Sequence, residues 1–154
     1  MSEPEAVKEF KEGLSLLRSN YARKALPHIS RALELDNKNP FYLSYLGLAL
    51  AAGEQKWEEA EDLCTAAVRM KRTQPELYIN LSEVYRLEGK KEDAVAILTT
   101  GFQMTKQDAR LAKALRKLGV RQPPLLTFLD RGHFLNRHLG KLRYRVLKSL
   151  GKEA

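Results

Sequence analysis

ARKALPHISRALELDNKNP (22–40), WEEAEDLCTAAVRMKRTQP (57–75) and KEDAVAILTTGFQMTKQD (91–108) superimpose when Ala25, Ala60 and Ala94 are set in register. The separations are 35 and 34 residues, and a fixed period of this size marks a chain built by stacking copies of one small unit. A second helical pattern precedes each stretch: FKEGLSLLRSN (10–20), YLSYLGLALAAGE (42–54) and YINLSEVYRLEGK (78–90). Here Gly13, Gly47 and Ser82 align, 34 and 35 residues apart. Each unit therefore reads as two helices, A followed by B.

Small residues recur together with large ones, which is what closely crossing helices require. Gly, Ser or Ala lets two backbones approach, and Leu, Ile or Tyr one turn away fills the space between. The punctuation agrees. Pro40 and Pro75 are expected to open the second and third A helices, where a missing N–H costs nothing. Gly53 and Gly89 are expected in the turns between A and B. Pro27 falls inside the first B helix, so a kink or a late helix start is expected there.

These residues resemble the tetratricopeptide repeat (TPR) family, whose pattern runs through Leu-Gly, a Tyr three residues later, then Ala, a large apolar residue, Ala and often Pro. The third repeat carries the pattern in Tyr78, Leu81, Ser82, Tyr85, Ala94, Leu98 and Gly101. The second carries it in Leu43, Leu46, Gly47, Leu50, Ala60, Cys64 and Ala67, with one inserted residue in GEQKW. The first has Gly13, Leu16, Ala25, Ile29 and Ala32, with Glu9 and Glu12 where apolar residues are usual, as a wetter terminal repeat allows. The resemblance implies an all-α fold: a right-handed TPR superhelix of three helix hairpins at about 5–39, 40–74 and 75–108. A capping helix at 109–119 and a C-terminal amphipathic helix would complete it. Residues 1–119 would form the repeat domain and 120–154 an extension packed on it.

Bulk properties suit this reading. The 154 residues are 44% hydrophobic and 30% charged, as in an ordered globular domain rather than a disordered chain. A chain of this length buries roughly 70% of its unfolded surface, enough for a sizeable core. The acidic opening MSEPEAVKEF lacks an apolar export segment, and no run of about 18 apolar residues appears. With the single cysteine, Cys64, this leads to the expectation of a cytoplasmic protein.

The net charge of +8 is uneven. Residues 1–105 hold 14 Lys/Arg against 16 Asp/Glu, whereas residues 106–154 hold 13 against 3. In the latter part ARLAKALRKLG (109–119) carries a Leu111, Ala114, Leu115, Leu118 stripe suited to covering the last repeat, with Gly119 as its C-cap. Pro123 and Pro124 then enforce extended backbone, followed by apolar Leu125, Leu126, Phe128 and Leu129. A final amphipathic helix is expected at roughly 135–150, with Arg137, Lys141, Arg143, Arg145 and Lys148 spread around its leucine face. Such a helix can dock on its own repeats, pair with a second copy, or meet an anionic partner. The tail is also similar to segments that close some bacterial TPR proteins.

Superposing equivalent positions of the A helices lists the residues of a concave groove. The first repeat contributes Phe10, Lys11, Leu14 and Leu17, and the second Phe41, Ser44, Tyr45 and Leu48. The third contributes Glu76, Ile79, Asn80 and Glu83. Such a groove is apolar at one end and acidic-polar at the other, which suits an amphipathic helix or extended apolar segment anchored by aromatics and leucines. The resemblance also implies where some relatives clamp acidic chaperone tails with Lys, Asn and Arg. Here those positions read Phe10, Leu14, Tyr45, Glu76 and Asn80, so that use is not expected.

No catalytic constellation or cofactor site is expected. His28, His133 and His138 have no neighbours at metal-ligand spacing, and EGKKED (88–93) lacks phosphate-loop spacing. Cys64 stands where the repeat needs an apolar residue, so it reads as a buried, inert thiol. Trp57 reads as packing, and Glu58, Glu59, Glu61 and Asp62 as carboxylates favoured in the first turns of a helix. The expected function is a non-enzymatic protein-interaction scaffold that binds another protein or a peptide, possible homodimerisation running through the last helix. The alternative is an adaptor whose basic tail touches nucleic acid or an anionic membrane surface. Nucleic acid is disfavoured because the tail interleaves only Tyr144 among its cations.

Overall fold

The computed structural model describes residues 4–119. Seven α-helices and no strands occur among them: α1 (Glu5–Arg18), α2 (Ala22–Leu35), α3 (Pro40–Glu54), α4 (Trp57–Met70), α5 (Pro75–Glu88), α6 (Lys91–Met104) and α7 (Ala109–Lys117). The chain divides after Leu118, and all seven helices belong to the unit Met1–Leu118. The Pro-Pro segment, the final helix and its basic residues Arg137, Lys141, Arg143, Arg145 and Lys148 lie outside the described residues. No described helix is long and apolar enough to cross a membrane.

The period in the sequence becomes a period in burial. Ala25, Ala60 and Ala94 are all 0% exposed, and one turn later Ile29, Cys64 and Leu98 are buried as well. These positions let α1–α2, α3–α4 and α5–α6 close as hairpins. The closeness is steric. A Cβ added at Gly47 would lie 2.7 Å from the carbonyl oxygen of Ala60 and from Cys64 Sγ. One at Gly101 would lie 2.5 Å from Tyr78 Cγ. Large side chains such as Ile29, Leu77 and Leu81 seal the spaces between hairpins, each worth roughly 1.5–3 kcal/mol of burial.

The A helices form a continuous layer, α1–α3, α3–α5 and α5–α7, whereas α2 and α4, and α4 and α6, bring no Cα atoms within 8 Å of each other among the described residues. An array packed along one layer and splayed along the other curves toward the packed side. The concave face is therefore made by α1, α3, α5 and α7.

Helix ends follow the sequence with two exceptions. Pro40 and Pro75 are the first residues of α3 and α5, and Asn39 Oδ1 accepts from the Phe41 N–H at 3.1 Å. Gly89 closes α5 at φ 90°, and Gly119 follows α7 at φ 84°. Gly53, expected in a turn, instead lies in the last turn of α3. Its carbonyl accepts from Arg23 Nε at 2.8 Å, and the left-handed turn residue is Gln55 at φ 57°. The extra residue in GEQKW lengthens α3 by one residue relative to α1 and α5, so the turn moves one position on and passes Gly53. Asn20 (φ 62°), Gln55 and Gly89 are then equivalent in the three hairpins. Pro27 does not delay its helix either. Helix α2 runs unbroken from Ala22 through an exposed Pro27, where water can satisfy the carbonyl that loses its N–H partner.

Candidate binding groove

The α1–α3 end of the concave face is built on aromatic rings. Phe10 packs between Tyr42 (centroids 4.6 Å apart, tilted) and Tyr45 (5.4 Å, edge-on). Tyr42 is buried, while Phe10, Leu14, Tyr45 and Leu48 keep part of their surface exposed. Leu17 and Tyr45 also rest on the buried Ala25, Ile29 and Ala49. Lys11 is exposed. Phe41 stands apart at the start of α3, with the Lys71 ammonium 5.6 Å from its ring centre.

At α3–α5 the equivalent contact is small and polar. Phe10 and Tyr45 in the first pair of repeats correspond by period to Ser44 and Asn80 in the second. Asn80 Nδ2 donates to Ser44 Oγ at 3.1 Å, and the two residues are only 4% and 0% exposed. Superposition placed both in the groove, but the structure turns them inward to satisfy each other between the helices. The aromatic pair props α1 away from α3, whereas the Ser–Asn pair lets α3 and α5 approach closely.

Tyr45 links the two regions. Its hydroxyl donates to Glu76 Oε1 at 2.5 Å, and burial first, then that carboxylate, pushes its pKa well above the usual tyrosine range. Glu76 Oε2 lies 4.0 Å from Arg110 Nη1. Arg110 in turn donates to Asp108, which caps α7 by accepting from the Arg110 backbone N–H at 2.8 Å. The Arg110 guanidinium, donating to it, is the main reason the Asp108 carboxyl sits below its ordinary pKa.

At the α5–α7 end a cleft of about 460 Å³ opens. Ile79, Ala114 and Leu118 supply apolar walls, and Arg86, Arg110, Lys113 and Lys117 supply cations. Glu83, expected in the groove, lines this cleft and is bonded to Arg86 at 2.6 and 2.8 Å. Sequence reasoning treated α7 only as a cover for the last repeat and missed its cations. Their spacing at 110, 113 and 117 was the available signal, because it puts them on one helix face.

Cys64 is buried with its thiol directed at the Ser44 carbonyl, 3.2 Å away, and burial raises its pKa to about 12. The thiolate needed for nucleophilic chemistry is therefore suppressed at neutral pH.

A layered array of paired helices with a concave A face defines a helical-repeat solenoid. A family model described as tetratricopeptide repeat matches residues 49–118, so that stretch of the chain is similar to the tetratricopeptide repeat family. The solved TPR domain of Sgt2 from Aspergillus fumigatus is similar in structure: TM-score 0.63, 19% identity, covering 88% of this chain and 95% of that one. The first TPR of Spaghetti, bound to an HSP90 peptide, gives a TM-score of 0.59 at 18% identity, covering 75% and 90%. The Yersinia enterocolitica type III secretion chaperone SycD, in complex with a peptide of the translocator YopD, also gives 0.59, at 13% identity, covering 77% and 95%. No curated protein matches the sequence.

Proposed function

We propose that this protein is a non-enzymatic, cytoplasmic interaction module whose concave face receives an apolar segment or amphipathic helix of another protein. The observation that carries the reading is the partly exposed surface of Phe10, Leu14, Tyr45 and Leu48 along the inner edge of α1 and α3. Aromatic and aliphatic groups held rigid by neighbouring rings are the usual anchors of such interfaces, and amphipathic helices dock in grooves of this kind. Lys11, Leu17, Ile79 and Glu83 border it, while Ser44 and Asn80 act by setting the spacing of the helices. That Spaghetti and SycD were each solved with a peptide of another protein supports the same use here. The chain's own Leu125–Leu129 stretch has the composition to compete for the surface.

Selection of 15-residue peptides displayed on phage against the full chain tests this. Enriched sequences should share a pair of large apolar residues, and Leu14→Arg or Tyr45→Ala should weaken the selected peptides about tenfold or more while helical content is retained. Enrichment without apolar anchors, or affinities indifferent to both substitutions, would refute the reading.

A further inference from the structure

We infer that the α5–α7 cleft recognises carboxylate side chains, so that the groove takes a bipartite peptide: apolar residues over α1 and α3, acidic residues over α7. The inference rests on the groove reading above and adds the chemistry and direction of the ligand.

The charges in the cleft do not cancel. Arg86 and Glu83 neutralise each other through two hydrogen bonds, and Arg110 is engaged by Asp108, with Glu76 nearby. Lys113 and Lys117, one turn apart on the same face of α7, line the cleft and are exposed. Neither pairs with a carboxylate among the described residues. Two ammonium groups with no carboxylate partner among the described residues thus stand over a floor of Ile79, Ala114 and Leu118. A flat basic surface would be ordinary solvated charge, but a recess with apolar walls desolvates what enters it and strengthens its pairing with those cations.

Three occupants compete, and charge and shape separate them. The chain's own residues 120–154 hold eight Lys/Arg against two Asp/Glu, the same sign of charge as the recess, which is the wrong sign for its ligand. A nucleic acid brings the right sign, but among the described residues no aromatic ring lines the cleft for a base to stack on. An acidic peptide satisfies both charge and walls. The Tyr45–Glu76–Arg110 chain marks where apolar contacts give way to cationic ones.

The test measures fluorescence polarisation with the full chain. The probes are a labelled LFALEEDE peptide, the same peptide with Gln and Asn replacing its acids, and a ten-residue polyuridine. At low salt the acidic peptide should bind about tenfold or more tightly than its amide twin. Lys113→Glu with Lys117→Glu should erase that margin, and Lys113→Arg with Lys117→Arg should keep it. Rising salt should narrow it. If both peptides bind equally and the charge reversal changes neither, the acidic specificity is wrong while the groove stands. If Leu14→Arg leaves both peptides bound, the groove reading itself fails. Polyuridine binding more tightly than the acidic peptide, and lost on charge reversal, would overturn the inference in favour of nucleic acid.

Discussion

Gly47 shows at the scale of one atom what the 35-residue period demands. A methyl there would press on the Ala60 carbonyl and on Cys64 Sγ, each 2.7 Å away, and neither belongs to a flexible side chain. Gly47→Ala is therefore expected to lose about 1–3 kcal/mol through overpacking, only partly offset by about 1 kcal/mol of helix propensity. Thermal denaturation should show a midpoint lower by several degrees, and an unchanged midpoint would mean that the hairpin is looser than described. Tyr45 and Tyr85 make a second case. Burial, then hydrogen bonding to Glu76 and Glu61 respectively, raises both pKa values. A raised folded-state pKa gives stability that is complete below the unfolded tyrosine value of about 10 and is lost as pH rises through the folded value. Denaturation midpoints should fall above about pH 10, and absorbance titration should show these two phenols ionising above the ordinary tyrosine value of about 10. Cys64 was legible as a buried thiol because its place in the repeat is filled by Ile29 and Leu98 in the neighbouring copies.

Among the elements, α7 is the shortest, at nine residues, and depends on its first turn. Removing the cap with Asp108→Ala should cost about 1 kcal/mol, and Asp108→Asn should recover most of it because the cap oxygen remains. Hydrogen exchange of the amides of residues 109–117 reads this directly: protection should fall in the alanine variant and largely return in the asparagine one. The same carboxyl is held below its usual pKa, so its contribution is complete above the unfolded Asp value near 4 and disappears as pH falls through the depressed one. Helix boundaries were largely legible, since Pro40 and Pro75 announce α3 and α5. Gly53 misled because glycine marks two different needs. At Gly89 it supplies a left-handed turn, whereas at Gly53 it admits the Arg23 backbone, 3.1 Å from where a Cβ would stand. Only the neighbouring helix distinguishes the two.

At the scale of the whole array, each hairpin meets only its sequence neighbours, so stability is a sum of units and nearest-neighbour interfaces. Helix α1 packs on α2 and touches α3 at few points, whereas α3 and α5 have neighbours on both sides. Amide exchange of the full chain should therefore be slowest in α3 and α5 and faster in α1 and α7. Equal protection across all seven helices would contradict this gradient. The 34- and 35-residue period by itself determined the fold class, the pairing of helices and which face of each B helix is buried, because those follow from residue spacing along a helix. Tertiary structure alone decided what the groove offers. Spacing assigns a residue to a face, but the distance between neighbouring A helices settles whether that face meets solvent or another helix. So Ser44 and Asn80 vanish into a close contact, Phe10 and Tyr45 stay partly open at a wider one, and the cations of α7 gain a recess only because α5 stands beside them.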